Sequence, residues 1–207
     1  MRLYIIRHGE TSWNLKKKLQ GQRDIMLNEN GIKLAQATAR GMKDVDIDLI
    51  ISSPLLRAKE TAGLLMPQRA LPMITDRRIT EMFFGAWEGE AMFESDVIPE
   101  EYRNRFVNDP MHCMTPPGGE TFQQVLDRTA DFYNWLVGNE AYQNANILIS
   151  THGAASRCLL AAVDGERENL WRGCVPPNCS VSIVDVEQGV GHIVEIDKLY
   201  YDPEEYA

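Results

Sequence analysis

The sequence lacks the features that would mark several large functional classes. None of its apolar runs approaches the ~20 residues of a membrane-spanning helix, and its first residues predict a strand rather than a signal peptide. It contains neither a glycine-rich phosphate-binding loop nor a His-x-x-x-His pair that would hold a metal. We therefore expect no membrane partner, no metal and no cofactor.

The sequence contains few cysteines, and its acidic residues outnumber its lysines and arginines. The 4 cysteines show no Cys-x-x-Cys spacing, which indicates reduced thiols in a cytoplasmic protein rather than a disulfide framework or a zinc site. The 21 lysines and arginines face 30 acidic residues, so the net charge is −9. This balance argues against nucleic acid or an anionic membrane as the main partner. An acidic protein that binds an anion must concentrate its positive charge locally.

Short apolar runs alternate with helical patterns along the chain. Strands are predicted at 3–6, 48–52, 73–75 and 147–151, and a hairpin is predicted from 180–186 and 192–196. Amphipathic helices are predicted after residue 28, after residue 54, over 122–136 and around 155–162. This alternation predicts an α/β fold with three α/β/α layers and a mostly parallel central sheet. The length suits one domain over residues 1–207.

Two helices allow a prediction of their buried faces. Asn28 is a candidate cap for the first of them, and spacing predicts that its buried face consists of Ile32, Ala35, Ala39 and Met42. Pro54 suits the first turn of the second helix, and the buried face predicted for that helix consists of Leu55, Ala58, Ala62 and Leu65.

Residues 90–117, here called the lid, lack clean periodicity and contain four prolines. Helical patches between these prolines suggest an ordered insertion rather than a linker. Long insertions in compact domains are often lids or substrate loops. We therefore expect a helical lid that covers the carboxyl edge of the sheet.

Two predicted strands end in the same kind of junction. The strand at 3–6 leads into Arg7-His8-Gly9, and the strand at 147–151 leads into His152-Gly153. Ligands of open α/β sheets bind at the carboxyl ends of the strands. Arginine is a bidentate partner for phosphate, and histidine is a nucleophile or an acid–base group near neutral pH. We expect the junctions to meet in one site; the alternative is a structural arginine with surface histidines.

Several sequence blocks, in this order, resemble the signature of a known family. They are Arg7-His8-Gly9-Glu10-Thr11 with Asn14, Gln20-Gly21 with Asp24, Leu27 and Gly31, residues 52–62 around Arg57, residues 81–89, and Thr151-His152-Gly153. Together they cover nearly the whole chain and resemble the histidine phosphatase superfamily, in its phosphoglycerate mutase-like branch. The resemblance implies the same layered fold with a lid.

A phosphomonoester dianion needs charge neutralisation, a nucleophile and a proton for the leaving oxygen. The forked donors of Arg7 and Arg57 suit the non-bridging oxygens. His8 is the candidate nucleophile, which would form a phosphohistidine, and Glu81 is the candidate proton donor. His152 would donate to the phosphoryl group or orient it. The resemblance implies the same roles for these five residues.

Further substrate contacts are expected around this set. Asn14 and the backbone at Gly153 can add neutral donors, and Gln20-Gly21 resembles a family segment that touches phosphate. His112 in the lid is a candidate substrate contact, with a surface position as its alternative.

Two of the catalytic candidates also have non-catalytic alternatives. Arg57 could pair only with Glu60 or Asp24, and Glu81 could be a surface charge. Glu88 and Trp87 are expected to be structural.

The lid also bears on the type of reaction. A mutase must shield its phosphohistidine from water and hold a second acidic ligand, and mutases of this branch carry a longer and more basic segment here. The lid has only Arg103, Arg105 and His112 against six acidic residues. We therefore expect hydrolysis of a small phosphorylated metabolite by a monomer or homodimer. The alternatives are a 2,3-bisphosphoglycerate-dependent phosphoglycerate mutase and a catalytically dead binding module.

Overall fold

The computed structural model describes residues 1–66 and 71–206. Its sheet is formed by β1 (Arg2–Arg7), β2 (Leu49–Ser52), β3 (Met73–Thr75), β4 (Asn146–Thr151), β5 (Val181–Glu187) and β6 (Val190–Lys198). The strand order is β3-β2-β4-β1-β5-β6. The first four strands in chain order are parallel, and the β5–β6 hairpin lies antiparallel beside β1. The predicted, mostly parallel sheet is confirmed.

The α-helices of the described residues are α1 (Ser12–Leu15), α2 (Glu29–Gly41), α3 (Leu56–Leu65), α4 (Glu100–Asn108), α5 (Phe122–Val137) and α6 (Gly153–Asp164). Short 3₁₀ segments lie at Arg77–Ile79, Gly85–Trp87, Pro110–His112, Glu140–Tyr142 and Pro203–Glu205. Within these same residues, none of the helices has the length and apolar character needed to cross a bilayer.

The helices cover both faces of the sheet. Successive side chains of a strand point to opposite faces. Leu3 and Ile5 of β1 accordingly belong to one buried cluster with residues of α5 and α6, whereas Tyr4 and Ile6 belong to another with residues of α2 and α3. This arrangement confirms the three α/β/α layers.

The predicted buried face of α2 is partly wrong. Ala35 and Met42 are buried, but Ile32 is 38% exposed, and Leu34 lies in the core instead. The reason is Gly31, where a Cβ atom would lie 2.1 Å from the carbonyl oxygen of Glu10. Because the helix approaches the neighbouring backbone so closely at this glycine, its orientation turns the next residue outward.

The start of α3 also differs from the expectation. The helix begins at Leu56, so Pro54 lies before its first turn, and Leu55, the N-cap residue, is half-buried. The remaining predicted positions, Ala58, Ala62 and Leu65, are buried as expected.

The lid packs onto the body through an aromatic cluster. The lid contains α4 and the Pro110–His112 segment. The ring of Tyr102 lies 4.6 Å from that of Trp87, and the ring of Phe106 lies 5.1 Å from that of Trp171. The indole nitrogen of Trp171 also donates to the carbonyl of Phe106 at 2.5 Å. These contacts fix the lid over the carboxyl ends of β1 and β4.

Candidate active site

The two histidines of the strand-end junctions meet at the carboxyl edge of the sheet. β1 and β4 pair in register from Arg2–Asn146 to Arg7–Thr151, so His8 and His152 follow at the same level. Their ring centroids lie 5.2 Å apart, at an interplanar angle of 57°. Both side chains are buried. The structure therefore brings together two residues that are far apart in sequence.

His8 is held as a neutral ring with one free nitrogen. Its Nδ1 lies 2.7 Å from the carbonyl oxygen of Gly9. Because a carbonyl only accepts, we assign the proton to Nδ1, which leaves the Nε2 lone pair unprotonated. Burial, with Arg57 and Arg7 nearby, lowers the pKa of His8 well below its usual value. The ring therefore presents an unprotonated Nε2 at neutral pH without first losing a proton.

His152 lies between the first histidine and the end of β2. Its Nε2 is 2.8 Å from the hydroxyl of Ser53, and its Nδ1 has no partner among the described residues. Burial, followed by the charge of Arg57, lowers the pKa of His152 well below its usual value. A buried ring nitrogen without a partner can bind a phosphoryl oxygen if it carries the proton.

Two arginines, the half-buried Arg7 and the fully buried Arg57, supply the positive charge. Arg7 donates from Nη1 to the carbonyl of Pro176. Arg57, in the first turn of α3, donates to the carbonyls of Gly21 at 2.7 Å and Arg23 at 2.8 Å. Burial lowers the pKa of Arg57 to about 10. The Nε of each arginine is buried without a partner among the described residues, and both arginines line the cavity, so an anion bound there would lie beside guanidinium groups with unused donors.

The alternative partners of Arg57 serve other groups. The Glu60 carboxylate accepts the backbone N–H of Leu27 at 2.9 Å. The Asp24 carboxylate accepts that of Leu56 at 2.6 Å. Arg57 is held by backbone carbonyls instead, which leaves its charge for a ligand.

The side chain of Glu81 lies against the N-terminus of α6. One carboxylate oxygen accepts the N–H groups of Met82 at 2.9 Å and Ala155 at 3.2 Å, and the other accepts that of Ala154 at 3.3 Å. A Cβ atom on Gly153 would lie 3.5 Å from the Glu81 oxygen and 3.8 Å from Nε of Arg7. Acid and arginine therefore approach each other around this glycine. Glu81 is 9% exposed and is not a surface charge.

A half-buried ion pair supports the backbone at Glu81. Arg128 pairs with Glu120 at 2.9 Å. The same guanidinium donates to the carbonyls of Arg78 and Thr80 at 2.7 Å and of Glu81 at 3.1 Å. This arginine was not predicted as functional, because its partners are 47 to 50 residues away in sequence.

Glu88 supports Arg57 in a comparable way. Its side chain is 3% exposed, accepts the N–H of Gln22 at 2.7 Å and pairs with Arg23 at 3.4 Å. Burial raises the pKa of Glu88. Gly21 has φ +51, and a Cβ there would lie 1.8 Å from the Glu88 carboxylate. The segment whose carbonyls hold Arg57 is thus itself held by Glu88.

The cavity of about 290 Å³ in front of these groups is lined by Arg7, His8, Asn14, Lys17, Lys18, Leu19, Gln20, Gly21, Arg57, Glu81, Phe84, Met92, Phe93, Phe106, Val107, Gly153, Ala154, Trp171 and Val175. The carboxamide oxygen of Asn14 accepts from the backbone and hydroxyl of Thr11 at 3.0 Å, so its amide nitrogen is the end available to a ligand. The Gln20 carboxamide oxygen is buried without a partner among the described residues.

His112 does not lie at this cavity. Its side chain is 75% exposed and bonds to Asp109 at 2.7 Å. The expected lid contact at this residue is therefore not formed, because the Pro110–His112 turn directs the ring outward.

Sequence reasoning missed two charged residues of the cavity wall, Lys17 and Lys18. The signal that could have found them is the run of three lysines at 16–18, which ends two residues before Gln20 of the predicted phosphate-contacting segment.

No group of three or more histidine, cysteine or acidic side chains in residues 1–66 and 71–206 is arranged to hold a metal ion. The 4 cysteines of the sequence are free thiols. The charge at the site comes from arginine.

Fold and site define an enzyme that handles a phosphoryl group. The family model of the histidine phosphatase superfamily (branch 1) matches residues 3–198, and the chain belongs to this superfamily. It is 36% identical over 166 residues to "Uncharacterized phosphatase PhoE" of Bacillus subtilis (strain 168), covering 78% of this chain and 76% of that protein.

Two further relatives differ in the reaction that their names give, one a mutase and the other a phosphatase. "Probable phosphoglycerate mutase GpmB" of Yersinia pestis (strain Pestoides F) is 31% identical over 188 residues, covering 91% of this chain and 86% of that protein. The solved structure of the α-ribazole phosphatase from Shigella flexneri has a TM-score of 0.82 at 31% identity and covers 98% of both chains. Superfamily and relatives together identify the chain as a phosphoric monoester hydrolase.

Proposed function

We propose that the chain hydrolyses small phosphorylated metabolites through a phosphohistidine at His8. One observation carries this proposal: a neutral histidine with a free Nε2 shares a cavity with two arginines whose Nε donors are buried without partners. A phosphate dianion would satisfy both donors and place its phosphorus before the ring. Arginine supplies the charge neutralisation, so the reaction needs no metal.

In the first step, Nε2 of His8 attacks phosphorus as the bond to the alcohol oxygen breaks. Arg7 and Arg57 bind the non-bridging oxygens, and the amide of Asn14 adds a neutral donor. Glu81, in its protonated form, gives its proton to the leaving oxygen, so that the alcohol departs neutral.

In the second step, water attacks the phosphohistidine. Glu81, now a carboxylate, accepts the proton of the water, and the Nε2–phosphorus bond breaks to release inorganic phosphate. Glu81 thereby regains the proton that it gave to the leaving oxygen, and His8 is again neutral and free of phosphate. Hydrogen bonds from two backbone N–H groups of α6 to the Glu81 carboxylate hold this side chain in place for both proton transfers.

The lid favours water over a second acidic ligand as the acceptor. Its residues at the cavity are apolar: Met92, Phe93, Phe106 and Val107. Arg105 pairs with Glu101 at 3.1 Å, and Arg103 donates to the carbonyl of Phe93 at 3.1 Å. The lid itself therefore contributes no cationic side chain to the cavity, whose basic residues Arg7, Arg57, Lys17 and Lys18 come from other segments.

The mutase named among the relatives is the second candidate, and a direct assay separates the two. We expect phosphate release from simple monoesters and negligible interconversion of 3-phosphoglycerate and 2-phosphoglycerate, with or without 2,3-bisphosphoglycerate. Phosphorus NMR follows all of these species in one sample. Primer-dependent isomerisation faster than phosphate release would establish the mutase instead.

EDTA supplies an independent check of the metal-free mechanism. Activity should survive chelation, and vanadate, which adopts a five-coordinate geometry like the transferring phosphoryl group, should inhibit. Loss of activity in EDTA with recovery on adding Mg²⁺ or Zn²⁺ would contradict the arginine-based site.

Substrate and setting follow from the same features. The α-ribazole phosphatase among the relatives makes a nucleoside-type monoester such as α-ribazole phosphate a candidate substrate, beside sugar phosphates and phosphoserine. The free thiols support a cytoplasmic location, and the net charge of −9 argues against nucleic acid as a partner. We infer a monomer or a homodimer. A panel of phosphomonoesters with the purified protein identifies the preferred substrate.

A further inference from the structure

Two lysines line the catalytic cavity without a part in the chemistry above. Lys17 is exposed and Lys18 is half-buried. Neither forms an ion pair with a described residue; Lys18 lies 5.7 Å from the ring centroid of Trp13. Their charges therefore remain available to a ligand.

The backbone that carries these lysines is fixed between the phosphate site and the lid. The N–H of Lys17 donates to the carbonyl of Asn14 at 3.0 Å, and its own carbonyl accepts from Met92 at 2.9 Å. Lys18 forms an isolated β-bridge with Ala91. Lys17 has a φ of +48°, a left-handed backbone conformation that residues other than glycine and asparagine seldom adopt. Such conformations cluster at functional sites, where the surroundings hold them.

The charge balance of the cavity points to a second anion. Glu81 is the one acidic residue among those that line it. Arg7 and Arg57 carry two positive charges, which match the two negative charges of a phosphate dianion. The two lysines then have no acidic partner among the residues that line the cavity apart from Glu81, to which the proposed mechanism assigns the proton transfers.

The remaining wall of the mouth is apolar. It is formed by Phe93, Phe106, Val107 and Val175. A ligand that reaches from the arginines to the lysines would therefore place its carbon skeleton against this wall.

We propose, resting on the hydrolase function above, that Lys17 and Lys18 form a subsite for a second anionic group on the alcohol part of the substrate. Lysine acts here as a point charge, so a carboxylate or a second phosphate satisfies the subsite. The preferred substrates are then phosphomonoesters of acidic alcohols.

Matched substrate pairs test this subsite. 3-Phosphoglycerate and glycerol 3-phosphate differ by a carboxylate against a hydroxymethyl group, and propane-1,3-diol bisphosphate and 3-hydroxypropyl phosphate differ by a second phosphate. We expect kcat/KM for phosphate release to favour the anionic member of at least one pair by about two- to fivefold, as for partly exposed charge pairs. The pair that shows the larger ratio identifies the anion.

Three glutamine variants locate the effect. In Lys17→Gln and Lys18→Gln the ratio should fall towards one, and Lys17→Arg should keep it. Lys16→Gln is the matched control, because Lys16 is an exposed lysine of the same run that does not line the cavity; its ratio should equal that of the wild type.

Other results overturn the subsite while leaving the hydrolase intact. They are equal turnover of both members of each pair, a ratio that survives Lys17→Gln/Lys18→Gln, or an equal loss on both members, which would mean that the lysines only attract phosphates in general. Calorimetric affinities of the His8→Ala protein for 3-phosphoglycerate and glycerol 3-phosphate make the same comparison without turnover. The subsite is then tested even if the hydrolase proposal fails.

Discussion

The floor and the mouth of the cavity are built differently. On the floor, His8 and Arg57 are almost fully buried, and hydrogen bonds to carbonyls fix each of them. The ring of His152, 5.2 Å from that of His8, is also buried and bonds to the hydroxyl of Ser53. At the mouth, Phe93 and Val107 are 56% and 49% exposed. Buried, cross-linked groups hold the geometry that phosphoryl transfer needs, whereas exposed side chains can change with little cost to the fold. Reaction and substrate choice are therefore carried by separate parts of the molecule.

The largest effect on the floor should come from the proton donor. Glu81→Gln should lower the rate on an alkyl phosphate by about 10²–10⁴-fold and on p-nitrophenyl phosphate by clearly less, because only the poorer leaving oxygen needs its proton in the transition state. Steady-state rates on both substrates check this. Equal losses on the two esters would move Glu81 to a structural or binding role, and Glu90→Gln, a nearby acid bonded to Ser95, is the control.

A smaller loss is expected from the support of Arg57. Glu88→Ala leaves the N–H of Gln22 without its acceptor and loosens the carbonyls that hold Arg57, so kcat/KM should fall about tenfold. Glu88→Gln keeps an acceptor oxygen and should recover most of the activity. The loss should be much smaller when combined with Arg57→Ala, since both changes act on one group. Additive losses in this double-mutant cycle would show that Glu88 does not act through Arg57.

The buried histidines make stability depend on pH. The pKa values of His8 and His152 lie well below 6.5 in the folded chain, mainly because of burial. The unfolded chain binds protons at these residues as pH falls through about 6.5, and the folded chain does not, so stability is fully present above that value and decreases below it. The contribution is at most about 1.4 kcal/mol per pH unit for each histidine.

Urea unfolding from about pH 5 to about pH 8 measures this slope. His8→Asn should reduce the slope by up to one proton, and His112→Asn, on the exposed lid turn, should leave it unchanged. A slope that is the same in wild type and His8→Asn would show that His8 titrates normally.

The smallest effect belongs to the mouth. Val107→Ala removes two methyl groups from a half-exposed side chain, so kcat/KM should change by only about two- to threefold. The change should be larger for an aryl than for a glycerol phosphate. Val97, also in the lid and exposed but not at the cavity, provides the matched variant Val97→Ala. A hundredfold loss in Val107→Ala, on the scale of about 2.7 kcal/mol, would erase the distinction between floor and mouth.

The residues at the floor of the cavity could be predicted from the sequence better than those at its mouth, for a physical reason. The junctions at His8 and His152 follow short apolar strands, and parallel strands bring their carboxyl ends together whatever the intervening chain does. Local spacing and the family blocks were therefore enough to predict Arg7, Arg57 and Glu81 in one cavity.

Features that depend on packing between distant segments were not predictable in this way. The contact of Gly31 with Glu10 turns α2 and exposes Ile32, although the helical spacing favours its burial. The clamp of Arg128 on the Glu81 carbonyl likewise results from a long-range contact that no local pattern encodes. The outward position of His112 comes instead from the short Pro110–His112 turn, where the ring bonds to Asp109.

The covalent intermediate is the most direct test of the floor. Rapid quench of the wild type with a phosphorus-labelled monoester should trap label on the protein that is acid-labile and stable to base, and peptide mapping should place it on His8. His8→Ala should lose both the label and turnover, and His112→Ala should keep both. Label retained in His8→Ala, or full turnover in that variant, would contradict the assignment of His8 as the nucleophile.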